Sequence, residues 1–513
     1  MRPISFREDR RYSRKEIIKR FDDFLSDRDD VERYLNYTEK AFRKLCESGI
    51  IKVHRWTDEQ LDFEDEMEND GIVGITESSD DKPRFSFHFV GVIVVFSLVI
   101  VVYPKYCEYE NDEYDETEMK RVISVIEKYK KSLKQSPFQI FDESQPVTCE
   151  NLLSVELYIL SDYWENGLYS NEHIVLEHNG NGEIHWDKTI NNEVAILLKK
   201  RPIYVDVQTT KRVDDRDNYI KRLHKAVLTE ISERFCGKHY QYTESENILS
   251  LFGMEPAYVT DEQLNDLGDV DYLSYRISQE LRIQFNTRKV QLLKAILSYI
   301  EHDRINNNRE YFSVYGTTSF QMVWQDVCSV VFHNSLREPL SSLGLSKYEN
   351  KENGIERLID LIEKPTWTIT GTTSDKTLEP DIITINKDSF CILDAKYYFP
   401  TLQKGKKPKN VPGIGDIIKQ YLYQQAYKHS LGNGYFRKHK PYNCFLLPDN
   451  GSSVINKENV NLQMLKPLNL KQIAIRYLPA QLMYESYLYG DPVTDKNNQN
   501  VTSDDILAFL QLE

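Results

Sequence analysis

Apolar positions recur with two different periods along the chain, and the switches between them predict its elements. Ile17, Ile18, Phe21, Phe24 and Leu25 return at the spacing of one helix face. Residues 1 to about 48 therefore read as helical, the basic, polar stretch 2–14 included, and a helical hairpin would bury the stripe. Residues 89–102 are almost wholly apolar, rich in Val and Ile with Gly91 inside, and closed by Tyr103-Pro104. They fall short of the about 20 residues a membrane helix needs, so buried strands are expected and no membrane span. Residues 119–133 return to helix, with Val122, Ile123, Val125, Ile126 and Tyr129 on one stripe.

Further on, 178–186 carries two Asn-Gly steps ahead of Ile184, the pattern of a β-hairpin turn. Residues 203–207 alternate as a strand, 219–235 form an amphipathic helix, and 261–300 are mostly helical. Residues 319–331 are helical again, with Phe320, Val323, Trp324, Val327 and Val331 along one face. The most informative pair of strands is 380–385 and 390–396, separated by the turn cluster 386–389.

A chain of 513 residues exceeds what one core usually supports. Three regions are expected: 1–148, an α+β region for DNA recognition or partner docking; 149–305, a second α+β region with a helical bridge; and 306–513. Composition is that of a globular protein, with 40% hydrophobic residues, 33 Tyr and 22 Phe to bury. A net charge of -15 argues against non-specific coating of nucleic acid, although acidic runs at 58–70 and 108–118 carry much of it, leaving room for a local basic groove. The 7 cysteines lie far apart without a CxxC pair, which fits a reducing cytoplasm. No GxSxG, HExxH or GxxxxGK[ST] occurs, so hydrolytic triads, zincin-type sites and a resident nucleotide motor are not expected. His178 and His185 are expected to be ordinary strand residues rather than ligands, and His333-Asn334 a helix end.

Chemistry concentrates around the 380–396 hairpin. If it closes symmetrically, Ile385 faces Phe390 and Asp381 faces Asp394. Directly opposed like charges are unfavourable unless compensated, and a divalent cation compensates them. Mg²⁺ takes one or two carboxylates beside water and phosphate oxygens, so Asp381, Asp394 and the backbone of Ala395 are the candidate metal site. Lys396 lies two residues beyond Asp394, on the same strand face, where its ammonium can orient the attacking water. In the helix that follows, Asp416, Gln420, Gln424 and Tyr427 share a face. Gln424 is a catalytic candidate there, with Gln420 and Tyr427 as DNA contacts. Between hairpin and helix, Lys404, Lys406, Lys407 and Lys409 form a candidate phosphate-contacting loop.

Pro380-Asp381 followed by Asp394-Ala395-Lys396 resembles the PD-(D/E)XK nuclease pattern. With Tyr397, residues 423–427, Phe320 to Trp324, the 89–91 and 103–106 blocks and 179–186, the chain resembles LlaJI family restriction endonucleases, relatives of McrC. The resemblance implies an α/β nuclease domain, a mixed sheet flanked by helices, after two α+β regions. It also implies Mg²⁺-dependent cleavage of double-stranded DNA beside a cognate DNA methyltransferase, driven by a separate McrB-like AAA+ GTPase or ATPase. Such nucleases often carry a Glu on the helix before the hairpin; here that turn reads Trp324-Gln325-Asp326, and Asp326 is the acidic candidate. The alternatives are a self-sufficient nuclease, a RecB-like repair exonuclease, or a non-catalytic DNA-binding or assembly subunit.

Overall fold

The computed structural model describes residues 3–26, 37–54, 84–107 except 97, 115–133, 152–236 except 171 and 215–217, 248–306, 312–398 except 351 and 353, 400, 410–463 except 461, 472–490 and 506–512. Its residues form two compact units, one of 151–311 and the other of 2–150 together with 312–513. The first and last of the three regions expected from sequence thus share one unit. The reason is strand pairing between segments more than two hundred residues apart.

In that shared unit, β1 (Ile4–Arg7) replaces the helix expected for the first residues. Ile4 and Phe6 are buried in alternation with half-buried Ser5 and Arg7, a period of two that finds a parallel partner strand. Helix begins only at α1 (Arg14–Ser26), followed by α2 (Tyr37–Glu47), and Arg14 pairs with Glu39 across them at 2.8 Å. The apolar stretch forms β2 (Val90–Val95) and β3 (Leu98–Tyr103), an antiparallel pair buried along most of its length, as expected. Among the described residues no helix is long and apolar enough to cross a membrane. Next come α3 (Glu116–Ser132), capped by Asp115, and β4 (Phe312–Thr317). The sheet order is β1-β3-β2-β4.

After β4 the chain enters α4 (Phe320–Val331), whose predicted stripe is buried. The second sheet follows: β5 (Ile382–Ile385), β6 (Ser389–Ala395), α5 (Ile414–Lys438), β7 (Lys440–Asp449), β8 (Ile455–Val460) and β9 (Ile473–Pro479), closed by helix α6 (Ala480–Tyr489). Its order is β5-β6-β7-β9-β8, with β6, β7 and β9 parallel and the two edge strands antiparallel to their neighbours. Helix α5 is the crossover that the parallel β6–β7 pairing requires. This is the mixed sheet flanked by helices expected from sequence.

The unit of 151–311 combines helices Leu152–Asn166, Tyr219–Cys236, Val270–Ile283 and Thr287–Asn306 with small sheets. The hairpin expected around 178–186 is not formed. Strands Glu172–His178 and Glu183–Ile184 lie on opposite sides of Gln208–Asp214, because the longer strand offers both of them a full ladder. Of the strand expected at 203–207 only 203–204 form one, at the end of Arg201–Tyr204; 205–207 leave the extended ladder before the next strand, Gln208–Asp214. A two-residue hairpin does occur at Lys199-Lys200, both with positive φ, the geometry of a type I′ turn.

Candidate active site

Hairpin β5–β6 has the register the sequence implies: Ile385 pairs with Phe390 and Ile382 with Leu393, so the ladder continued by one residue sets Asp381 opposite Asp394. Asn386 N–H donates to Ser389 O across the turn at 3.0 Å. The strands are held because Ile382, Ile383 and 390–394 are buried on both faces, under α4 and α5.

Asp381 stands just before β5, and three groups hold it. Asn334, beyond the end of α4, donates from Nδ2 to Asp381 O at 2.9 Å and accepts from Ile383 N–H at 3.1 Å. The side-chain oxygens are held separately: Gln325 Nε2 donates to Oδ1 at 3.0 Å, and Ala395 N–H donates to Oδ2 at 3.1 Å. Burial, then the charge of Asp394 and a hydrogen bond between the two carboxyl groups, push Asp381 up to about 8. Two carboxylates are thus confined together in a poorly hydrated place.

Asp394 is buried, and its Oδ2 lies 3.0 Å from Lys396 Nζ. The backbone of Lys396 is tied to β7 through its N–H, which donates to Leu446 O at 2.9 Å. Its ammonium also donates to Asp416 Oδ1 at 2.9 Å. Burial works against the ammonium, but Asp394 and Asp416 outweigh it and hold its proton above the ordinary lysine range. Lys396 is therefore a donor near neutral pH. Tyr423 lies under the same charges: burial, then Asp394 and Asp381, push its phenol up to about 12, so it keeps its proton.

Asp381, Asp394 and Lys396 are brought together as expected, and the backbone of Ala395 lies among them. The other candidates fare differently. Asp326 turns away and accepts from Tyr487 OH at 2.5 Å. Gln325, one residue earlier, reaches the centre instead, because consecutive helix positions point about 100° apart. Gln420 and Tyr427 are fully buried and do not face DNA. Gln420 Nε2 donates to Ile392 O at 2.8 Å, and Tyr427 packs on Phe390. Gln424 is buried beneath the sheet, its Oε1 accepting from Asn443 Nδ2 at 2.7 Å. The shared face of α5 is real, but it is the face that clamps the helix to the sheet. Lys404, Lys406, Lys407 and Lys409 lie outside the described residues.

Sequence reasoning missed Gln325, Asn334, Asp416 as a partner of Lys396, and Tyr423. For Asp416 a signal existed: it stands on the same helix face as the residues that were singled out. Elsewhere, His185 caps the helix Trp186–Asn192 by accepting from Lys188 N–H at 3.3 Å, and His178 Nε2 lies 3.4 Å from Glu193.

A family model described as LlaJI restriction endonuclease matches residues 89–481 of this chain. The chain is similar to the type II restriction enzyme BsuMI component YdjA of Bacillus subtilis (strain 168), 28% identical over 448 residues that cover 84% of this chain and 85% of that protein. It is also similar to the regulatory protein RecX of Bacillus cereus (strain 03BB102), 23% identical over 252 residues, 45% of this chain and 87% of that protein. Among solved structures, McrC bound to McrB AAA+ hexamers of Thermococcus gammatolerans gives 10% identity and a TM-score of 0.33 over 93% of this chain and 94% of that one. At that score the likeness carries no argument.

Proposed function

The chain belongs to the LlaJI restriction endonuclease family, and from that premise we propose that it cuts double-stranded DNA by Mg²⁺-dependent phosphodiester hydrolysis at a PD-(D/E)XK centre formed by Asp381, Asp394 and Lys396. The observation that carries the reading is a buried carboxyl group, Asp394, beside the half-buried Asp381 at one end of a hairpin, with an ammonium 3.0 Å from Asp394.

The donor set fits the cation. Asp381, Asp394 and the carbonyl of Ala395 offer hard oxygens, and a dication held there would offset both the burial and the Asp394 charge that raise Asp381. When bound there, Mg²⁺ lowers the pKa of a coordinated water and offsets charge developing on the phosphate. The remaining work falls to this chain's own groups. Gln325 and Ala395 N–H keep Asp381 turned toward Asp394. Lys396, held protonated, donates to the attacking water or to a non-bridging phosphate oxygen. The water oxygen forms the new bond to phosphorus as a bond to one ester oxygen breaks; the attacking water gives up one proton to solvent, and the leaving oxygen takes one from solvent. Gln424 supports this centre through the α5–β7 contact, and the 404–409 lysines contact the backbone phosphates.

A motor partner completes the proposal. The relative in Bacillus subtilis is named a component of its restriction enzyme, and this chain has no GxxxxGK[ST] motif of its own. An McrB-like AAA+ subunit would supply nucleotide hydrolysis, and a cognate methyltransferase would protect host DNA.

The test is cleavage of unmodified and host-modified DNA with Mg²⁺ or with chelator, by wild type and Asp394→Ala, each with and without the neighbouring nucleotide-hydrolysing subunit. Loss of cutting in the variant and in chelator supports the centre. Dependence on partner and nucleotide supports the motor. Equal cutting by wild type and variant would refute the assignment of Asp394.

A further inference from the structure

The lysine of the centre is gripped from both ends. Its backbone N–H is fixed on β7 at 2.9 Å, and its ammonium sits between Asp394 Oδ2 at 3.0 Å and Asp416 Oδ1 at 2.9 Å. The two carboxylates come from different elements, β6 and the first turn of α5. Asp416 is itself held, because its other oxygen, Oδ2, accepts from the backbone N–H of Gly413, the residue that begins α5, at 3.2 Å. One side chain therefore caps the helix with one oxygen and holds the lysine with the other.

A lysine has four rotatable bonds, and a partner on one side only would let the ammonium collapse onto the nearest carboxylate. With Asp394 alone, that collapse brings the ammonium to the carboxylate pair, where it competes with a cation. Asp416, carried by a different element, is a second anchor at 2.9 Å and ties the head to α5 as well as to β6. Among the described residues these two carboxylates are the partners of the ammonium, which leaves one of its three N–H donors for a water or a phosphate oxygen.

The geometry points to Asp416 as a positioning residue for Lys396, acting through its charge and not only through its cap. This rests on the nuclease reading above. The helix cap and the lysine contact can be separated by substitution. Asp416→Asn keeps a side-chain acceptor for Gly413 N–H but loses the charge that holds the ammonium. Asp416→Glu keeps the charge and puts the residue most common at this capping position in its place.

The experiment measures kcat, KM for DNA and melting temperature for wild type, Asp416→Asn and Asp416→Glu, in full-length protein with Mg²⁺ and with whatever partner the wild type requires. Asp416→Asn is expected to lower kcat about 10²-fold, the scale of a misplaced catalytic group. Its KM should stay within about twofold, because the interaction is one used in the transition state. Its melting temperature should follow wild type, and Asp416→Glu should recover most of the lost kcat. Wild-type kcat in Asp416→Asn overturns the inference, as does a loss that Asp416→Glu fails to recover. A wild type that cuts no DNA under any condition overturns the nuclease reading first, and this inference with it.

Discussion

The side-chain amide of Gln325 donates to Oδ1 of Asp381 at 3.0 Å, from the helix that precedes the hairpin to the carboxylate that opens it. A neutral donor here orients Asp381 without adding a third negative charge to a pair that already repels. The same position filled by Glu would do the opposite: it would repel Asp381 in the metal-free protein and add a ligand in the loaded one.

That contrast gives the first prediction. Gln325→Glu should melt lower than wild type in chelator and show a larger rise in melting temperature on adding Mg²⁺, since a ligand stabilises the state that binds it. Gln325→Leu should cost activity but show no enlarged rise. Thermal melts with and without Mg²⁺ decide it; identical Mg²⁺ shifts in all three proteins would place position 325 out of reach of any bound cation.

Tyr397, next to Lys396, donates its phenol O–H to Glu8 Oε2 at 2.5 Å and accepts from Lys105 N–H at 3.1 Å. Burial, then the charge of Asp9, push Glu8 up to about 7 from 4.5. The folded protein therefore binds the Glu8 proton more tightly than the unfolded chain, so this contribution is complete below pH 4.5 and is lost as pH rises through 7. Glu8→Gln should remove that part of the pH dependence of unfolding. Tyr397→Phe should cost about 1–3 kcal/mol, the scale of leaving a buried polar group unpaired. Denaturant melts at pH 4.5, 6 and 8 check both, and an unchanged slope in Glu8→Gln would contradict the assignment.

The unit of 151–311 carries a switch of opposite sign. His224 is fully buried, its Nδ1 accepts from Tyr169 N–H at 3.1 Å, and burial lowers it to about 4 from 6.5. Between these values the unfolded chain binds the proton that the folded unit refuses, so stability present above pH 6.5 is lost as pH falls toward 4. His224→Gln keeps an acceptor for Tyr169 and cannot titrate. Its melting temperature should fall less than wild type between pH 7 and 4, and parallel curves would show that another group is responsible.

Gly91 and Gly316 face each other across β2 and β4. A Cβ on Gly91 would lie 2.2 Å from Tyr315 O, and one on Gly316 2.1 Å from Val90 O; Gly91 also has φ +138°. Gly91→Ala should therefore destabilise by about 3 kcal/mol, through backbone displacement and strain together. Urea melts measure it. Because β4 leads directly into α4, which carries Gln325, the loss should extend to the proposed centre and lower any cleavage activity in parallel.

Much of this protein was legible in its sequence. The family resemblance was, and a match over residues 89–481 bears it out. So were the 89–102 strands, the 319–331 helix and the hairpin register, because each depends on a local period or a turn whose length fixes which residues oppose. That register sets Asp381 beside Asp394 and Lys396, and the residue pattern together with the family resemblance singled them out. Tertiary structure decided what local patterns leave open. Ile4 and Phe6 are strand residues because β3 offers them a parallel ladder, not because of their own propensity. Gln325 rather than Asp326 faces Asp381 because the docking of α4 rotates one helix position inward and the next toward Tyr487. Gln420 and Tyr427 share a face, as the spacing shows, but spacing does not say whether a polar face meets DNA or a sheet, and here it meets the sheet. Periodicity fixes which side chains point together; only packing fixes what they point at.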